Sequence, residues 1–249
     1  MNQANKQAIK VALVTGAARR IGAAIIKHLH QAGYQVIIHC HHSVAEAEQL
    51  AKGLNHQREG SALVLKADLC RPKVGEELID AALAWAGRLD LLINNASVFL
   101  KTNFAKFNET NWDNLFATNV KAPYLLSLAA RPHLARQQGA IINIADTHGD
   151  RPLKDYSEYC QTKAALIMQT KALAREFAPD IRVNAVSPGA IVWPEHQNLV
   201  SKEEQAEIIA KTPLKRKGEP GFIAQAVVAL AENPFITGQV LKVDGGRSI

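Results

Sequence analysis

Seven short apolar runs, separated by segments of helical character, constrain this chain more tightly than any other feature. Residues 9–15, 34–40, 61–66, 89–94, 140–145, 181–187 and 239–243 read as strands. The segments between them include helical stretches at 20–31, 45–54, 74–85 and a long one at 156–177. Apolar strands alternating with helices imply a parallel sheet covered by helices on both faces. The expected fold class is therefore α/β: one doubly wound domain spanning 1–249, with a parallel sheet of about seven strands. No linker or low-complexity tract divides it.

Residues 11–22 read V-A-L-V-T-G-A-A-R-R-I-G, a strand, a tight turn and the start of a helix. Gly16 permits the turn, and Gly22 lets the helix pack closely on the sheet. The helix N-terminus then offers backbone N–H groups and a partial positive charge to a pyrophosphate, which makes the domain Rossmann-type. Arg20 occupies a position where a glycine is expected, and Arg19 stands beside it. On one reading a guanidinium touches cofactor phosphate or reaches the substrate. On the other, one arginine is solvated and its neighbour sits in a salt bridge.

The second strand ends His39-Cys40-His41-His42-Ser43, with no acid before Glu46. An NAD enzyme would place a carboxylate here against the ribose 2′-hydroxyl. His41, His42 and Ser43 can instead donate hydrogen bonds to a 2′-phosphate, which also favours protonated imidazole. NADPH is the expected cofactor. A metal site lacks a second, separated pair of ligands, and alternate strand residues face opposite ways. A plain solvated strand end is the remaining alternative.

Tyr159 and Lys163 stand four apart in the long helical stretch, so both can point into one site. An ammonium beside the phenol is expected to lower its pKa and suit it to proton transfer. Thirteen residues upstream of the tyrosine stands Asp146.

With these pieces in order, the chain resembles the short-chain dehydrogenase/reductase family over essentially its whole length. The resemblance is carried by Thr15-Gly16 with Gly22, Asp68, Asn94-Asn95-Ala96, Asn119, Tyr159 with Lys163, and Ser187-Pro188-Gly189. It implies that Asp68, with Leu69 beside it, contacts the adenine and that Asn95 and Ala96 lie along the nucleotide. Ile21 and Ile191 join the cofactor-binding set. Asn119 would help hold a proton-relay water near Lys163, which would bind the ribose. Pro188 and Gly189 would border the nicotinamide, and the segment after them, 191–195 with Trp193, would form a substrate lid. Each motif also has a plainer reading: Asp68 as a turn residue, Asn94 and Asn95 as a strand-end cap, Pro188-Gly189 as an ordinary turn.

Two departures narrow the resemblance: Arg20 replaces the family's glycine, and Asp146 replaces its catalytic serine. Both resemble the pteridine reductases, as does Asn95-Ala96-Ser97-Val98-Phe99, whose phenylalanine would stack on a pterin ring. The histidine-rich end of the second strand is similar too. A fixed carboxylate opposes the oxyanion that develops during carbonyl reduction. It favours a protonated ring nitrogen, however. The resemblance thus implies reduction of a dihydropterin (dihydrobiopterin, dihydromonapterin or dihydrofolate), with hydride to C6 and a proton to N5 from Tyr159 and Asp146. Arg20 and Ser97 could bind the polar pterin edge or the cofactor phosphates. Phe99 could equally be a packed loop residue, and Asp146 a capping residue with Thr147 supplying a hydroxyl. That last possibility would restore an NADPH-dependent carbonyl or β-ketoacyl reductase. A non-catalytic NADP-binding sensor is the other rival, opposed by the intact Tyr159 and Lys163.

The net charge of +6 suggests attraction to anions, but Lys and Arg read as scattered, so a phosphate-bearing cofactor is expected and nucleic acid is not. Cys40, Cys70 and Cys160 contain no C-x-x-C pair and suggest reduced thiols, neither a disulfide framework nor a zinc site. Residues 1–10 lack an apolar signal core, and no run reaches transmembrane length, so a cytoplasmic protein is expected. The resemblance also implies a homotetramer, formed through the long catalytic helix and the last strand, with residues 244–249 tucked against a neighbouring subunit.

Overall fold

The structure, a computed structural model, describes residues 9–193 and 199–249. The expectation for residues 1–8 and for Pro194 and Glu195 of the lid therefore lies outside the described residues. The strands are β1 (Val11–Val14), β2 (Gln35–Cys40), β3 (Ala62–Lys66), β4 (Leu91–Asn94), β5 (Ala140–Ile144), β6 (Arg182–Pro188) and β7 (Val240–Val243). They form one parallel sheet in the order β3-β2-β1-β4-β5-β6-β7. Helices α1 (Arg20–Gln31), α2 (Val44–Gln57), α3 (Val74–Ala86), α4 (Glu109–Phe116), α5 (Ala122–Ala135), α6 (Ser157–Phe177), α7 (Lys202–Ala210) and α8 (Pro220–Glu232) connect them.

The two-residue period of the strands divides the apolar residues between two cores. Ala12 and Val14 of β1, with Val36 and Ile38 of β2, face Ile25, Ile26 and Leu29 of α1 and Val227 of α8. Val11, Leu13 and Ile37 point the other way, onto Leu78 and Ile79 of α3, Leu126 of α5 and Leu173 of α6. Both faces are sealed, which is why the strands lack polar alternation. A buried polar chain also crosses the sheet: Asn94 donates to Asn143 at 2.8 Å, and Asn143 donates to Thr170 of α6 at 2.9 Å. Asn94 is thus a core hydrogen-bonding residue, 2% exposed.

The carboxyl-terminal turn is hydrogen-bonded within the chain. The Asp244 carboxylate accepts from the backbone N–H groups of Gly246 and Ser248, and Arg151 donates to the carbonyls of Arg247 and Ile249. The turn is held by its own chain.

Candidate active site

Strand order reverses between β1 and β4, which opens a crevice at the carboxyl ends of the strands. A cleft of about 1470 Å³ lies there, and nearly all the residues singled out from sequence line it. A smaller hollow of about 310 Å³, around Tyr34, Asp90 and Arg182, contains none of them.

The phosphate turn is built from two loops locked together. Gly16 takes φ +59°, and a Cβ on Gly22 would meet the Gly16 carbonyl oxygen at 2.5 Å, so glycine is required at 22 by contact. Asn95 Nδ2 donates to the carbonyls of Thr15 at 2.8 Å and Gly16 at 2.9 Å. Thr15 Oγ1 accepts from the N–H groups of Asn95 and Ala96. The turn after β1 and the turn after β4 are therefore one unit.

His39 completes it from β2. Its Nδ1 accepts from the Gly16 N–H at 3.2 Å, and with its proton on Nε2 it donates to the Ala67 carbonyl at 3.1 Å. Burial lowers its pKa to about 4, so the ring is neutral around pH 7. His41 and His42 are exposed, ring centroids 3.7 Å apart, and Ser43 makes no side-chain cap bond to α2. Glu46 turns to Arg19 at 3.8 Å in a half-exposed ion pair, away from any role as a ribose acid beside the histidines. Asp68 does serve as a turn residue, accepting from the Cys70 N–H at 2.9 Å, while it and Leu69 line the same end of the cleft. Among the described residues no cluster of three His, Cys, Asp or Glu side chains is arranged to hold a metal ion.

Arg20 holds a left-handed backbone, φ +54°, costly for a residue with a Cβ. Its Nη2 donates to the carbonyls of Val192 at 3.2 Å and Trp193 at 2.9 Å. It thereby ties the phosphate turn to the segment after β6, where Gly189 and Ile191 line the cleft together with Pro188 at the strand's end.

At the centre, the Tyr159 hydroxyl donates to Asp146 Oδ2 at 2.7 Å. Asp146 Oδ1 accepts from the His148 N–H at 2.8 Å and caps the short 3-10 turn Thr147–Gly149. The two readings of Asp146, site carboxylate and cap, are one arrangement using two oxygens. The Thr147 hydroxyl is buried and reaches only towards Asp146 Oδ1, at 3.5 Å.

The expected lowering of the tyrosine pKa is overturned. Burial first, then the Asp146 carboxylate, push Tyr159 well above its usual value. Lys163 Nζ lies 5.6 Å from the Tyr159 ring centroid and spends a donor on the Ile144 carbonyl at 3.0 Å. Burial lowers Lys163 to about 8, against the raising effect of Asp146. The phenol is thus held as a protonated donor beside a carboxylate.

Asn119 sits in a π-helical turn, Ala117–Lys121, between α4 and α5. Its amide is engaged with Val98 N–H, Val98 O and Thr162 Oγ1, so the side chain braces the 98 segment against α6. Phe99 stacks on Tyr156 at 4.3 Å and meets Tyr159 edge-on at 4.7 Å while lining the cleft with Ser97. The Phe99 ring is thus packed on two tyrosines and also faces the cleft, which is compatible with both readings of it. Tyr156, Lys154 and α7 at the cleft's outer end were not singled out from sequence. The Ser201–Glu204 capping box, with both hydrogen bonds made, was the readable signal for α7.

Comparison with known proteins agrees with this layout. A family profile described as enoyl-(acyl carrier protein) reductase matches residues 16–248. A structure of FolM alternative dihydrofolate reductase 1 from Brucella suis, in complex with NADP, superimposes with a TM-score of 0.89 and 36% identity, covering 97% of this chain and 96% of that one. Pteridine reductase 1 of Leishmania tarentolae is 34% identical over 281 residues, covering 96% of each chain. A granaticin polyketide synthase putative ketoacyl reductase of Streptomyces violaceoruber is 36% identical over 244 residues, again covering 96% of each. The chain belongs to the short-chain dehydrogenase/reductase family and is an oxidoreductase.

Proposed function

We propose that this protein reduces a dihydropterin (dihydrobiopterin, dihydromonapterin or dihydrofolate) to its tetrahydro form. The observation that carries the reading is the Asp146 carboxylate accepting the Tyr159 hydroxyl at 2.7 Å. Carbonyl reduction needs a donor where the oxyanion forms, and a carboxylate there opposes it. Protonation of a ring nitrogen is helped by the same charge.

The cofactor is NADP(H). The residues present fit it: the glycine turn admits a close backbone approach, and the groups at the end of β2 are His41, His42 and Ser43. In this reading Arg19 and Arg20 bind its phosphates, Arg19 by leaving Glu46 and Arg20 by exchanging the carbonyls of Val192 and Trp193 for phosphate oxygen. When bound, NADPH supplies hydride to C6 of the pterin. Tyr159 holds the proton destined for N5, and Asp146 orients that hydroxyl and favours a cationic nitrogen. Lys163 binds the ribose and balances the charge of Asp146. Asn119 positions Val98 and so the loop carrying Ser97 and Phe99, which flank the ring.

The substrate is a small pterin or folate; nucleic acid and membrane have no part in this reading, and no helix among the described residues is long and apolar enough to cross a membrane. We further place the protein in the cytoplasm, as a homotetramer of chains in which 1–249 act as one domain. A second reading, a carbonyl or β-ketoacyl reductase, is favoured by the ketoacyl reductase relative. The deciding experiment follows NADPH oxidation with the three dihydropterins and with a β-ketoacyl thioester. Dihydropterin turnover that disappears in Asp146→Ala supports the proposal. Turnover of the thioester alone, surviving that change, overturns it. Loss of turnover in Tyr159→Phe with NADPH binding retained excludes a mere sensor.

A further inference from the structure

The reading of Lys and Arg as scattered overlooks one run, Lys215-Arg216-Lys217, four residues beyond Lys211. All four are exposed, and among the described residues the three of the run make no ion pair with a carboxylate. Their backbone is fixed. The Leu214 N–H donates to the Gly245 carbonyl at 3.1 Å, the Gly218 N–H donates to Ala190 at 2.9 Å, and Lys215 is held at φ +52°. The run therefore stands on the carboxyl-terminal turn, whose Arg247 lines the cleft and donates to Ile208 of α7 at 3.0 Å.

The cleft's cofactor end is bounded by His41, His42 and Asp68. Past Tyr159 the walls are Leu153–Tyr156, Glu204, Glu207 and Ile208 of α7, Lys211 and Arg247. The run borders this mouth from outside, anchored through Leu214 on Gly245 and Gly218 on the cleft residue Ala190. Resting on the dihydropterin reading, we propose that Arg247 and the strip Lys215-Arg216-Lys217 bind a polyanionic tail carried by the substrate, the γ-linked oligoglutamate arm of a dihydrofolate. A thin carboxylate chain can follow the strip. Of the acids at this mouth, Glu207 is paired with Lys211 at 2.5 Å and Glu204 accepts from the Ser201 N–H at 2.8 Å. An extended chain thus passes two engaged carboxylates, whereas a broad acidic surface would meet Glu203 as well.

The test compares KM for the monoglutamate and pentaglutamate forms of dihydrofolate, with untailed dihydrobiopterin as reference, in the wild type and in a Lys215→Gln/Lys217→Gln double variant. At low ionic strength the pentaglutamate KM is expected to be about tenfold lower than the monoglutamate KM, with similar kcat. The advantage should collapse in the double variant and at high salt, while dihydrobiopterin kinetics report an intact site. Equal KM values for the two forms, or an advantage that persists in the variant, overturn the tail site and leave the dihydropterin reading standing. No turnover of any dihydropterin removes that reading itself.

Discussion

A carboxylate at position 146 acts on its two neighbours in the same direction, favouring the protonated form of each. It raises Tyr159, keeping the phenol protonated, and raises Lys163, partly restoring an ammonium that burial has lowered to about 8. Asp146→Ala should cost about two to three orders of magnitude in kcat for a dihydropterin, and Tyr159→Phe at least as much, as measured by steady-state NADPH oxidation. The ammonium is present below about pH 8, so NADPH affinity should fall as pH rises through that value. In Asp146→Asn the fall should move to lower pH, because the raising charge is gone; fluorescence titration at several pH values reads this. His39 supplies a second pH signal. Its folded pKa of about 4 lies below the unfolded 6.5, so its contribution is complete above 6.5 and is lost as pH falls from there to 4. On the order of 3 kcal/mol is at stake. Urea unfolding at pH 7 and pH 4.5 should show a drop that His39→Gln removes. Sequence spacing was enough to unite Asp146, Tyr159 and Lys163, because Asp146 follows the end of β5 and the other two stand four apart in the first two turns of α6. It misjudged the tyrosine's charge state because burial of the phenol, which spacing does not reveal, and then the Asp146 carboxylate push its pKa up.

Among the elements, α1 carries the most consequence. A buried apolar stripe packs it on β1 and α8, while its first residue pays a backbone strain at Arg20 to reach Val192 and Trp193. Arg20→Gly should relieve that strain, so stability should change by less than about 1 kcal/mol. KM for NADPH should nonetheless rise about tenfold or more, as the guanidinium that ties the turn to the segment after β6 is lost. Thermal unfolding and initial rates on the same preparation separate the two effects; a large loss of Tm with unchanged KM would make Arg20 merely structural. Most elements were legible: α1 begins and ends where its periodicity indicates, and the strands shift by one or two residues at their ends. The helices between β4 and β5 were read without boundaries. There α4 runs through a π-helical turn into α5, and Pro123 and Pro132 obscure the helical signal. In α7 no residue is buried, so no apolar period exists to be read.

For the whole molecule, part of the apolar surface left over by the two cores lies on two neighbouring helices. Tyr124, Leu125 and Leu128 of α5 are 43%, 45% and 40% exposed, and Met168 of α6 is 62% exposed. Both helices cover the same face of the sheet, on which Leu126 and Leu173 fill the core beneath. Leu241 on the edge strand β7 is 41% exposed as well. Two helices with a buried side and an apolar outer side are suited to pack against a second copy by a two-fold axis, and an edge strand to meet another. If the tetramer forms through these surfaces, a charge in the middle of one should dissociate it without disturbing the core. Leu128→Glu/Met168→Glu is expected to shift the mass by light scattering from four chains to fewer, and to make Tm depend on concentration over a range where the wild type does not. Neither side chain lines the cleft, so remaining activity in the dissociated species measures how far α6, and with it Tyr159 and Lys163, depends on the partner for its position. A tetramer unchanged by both charges would place the interface on other surfaces of the chain.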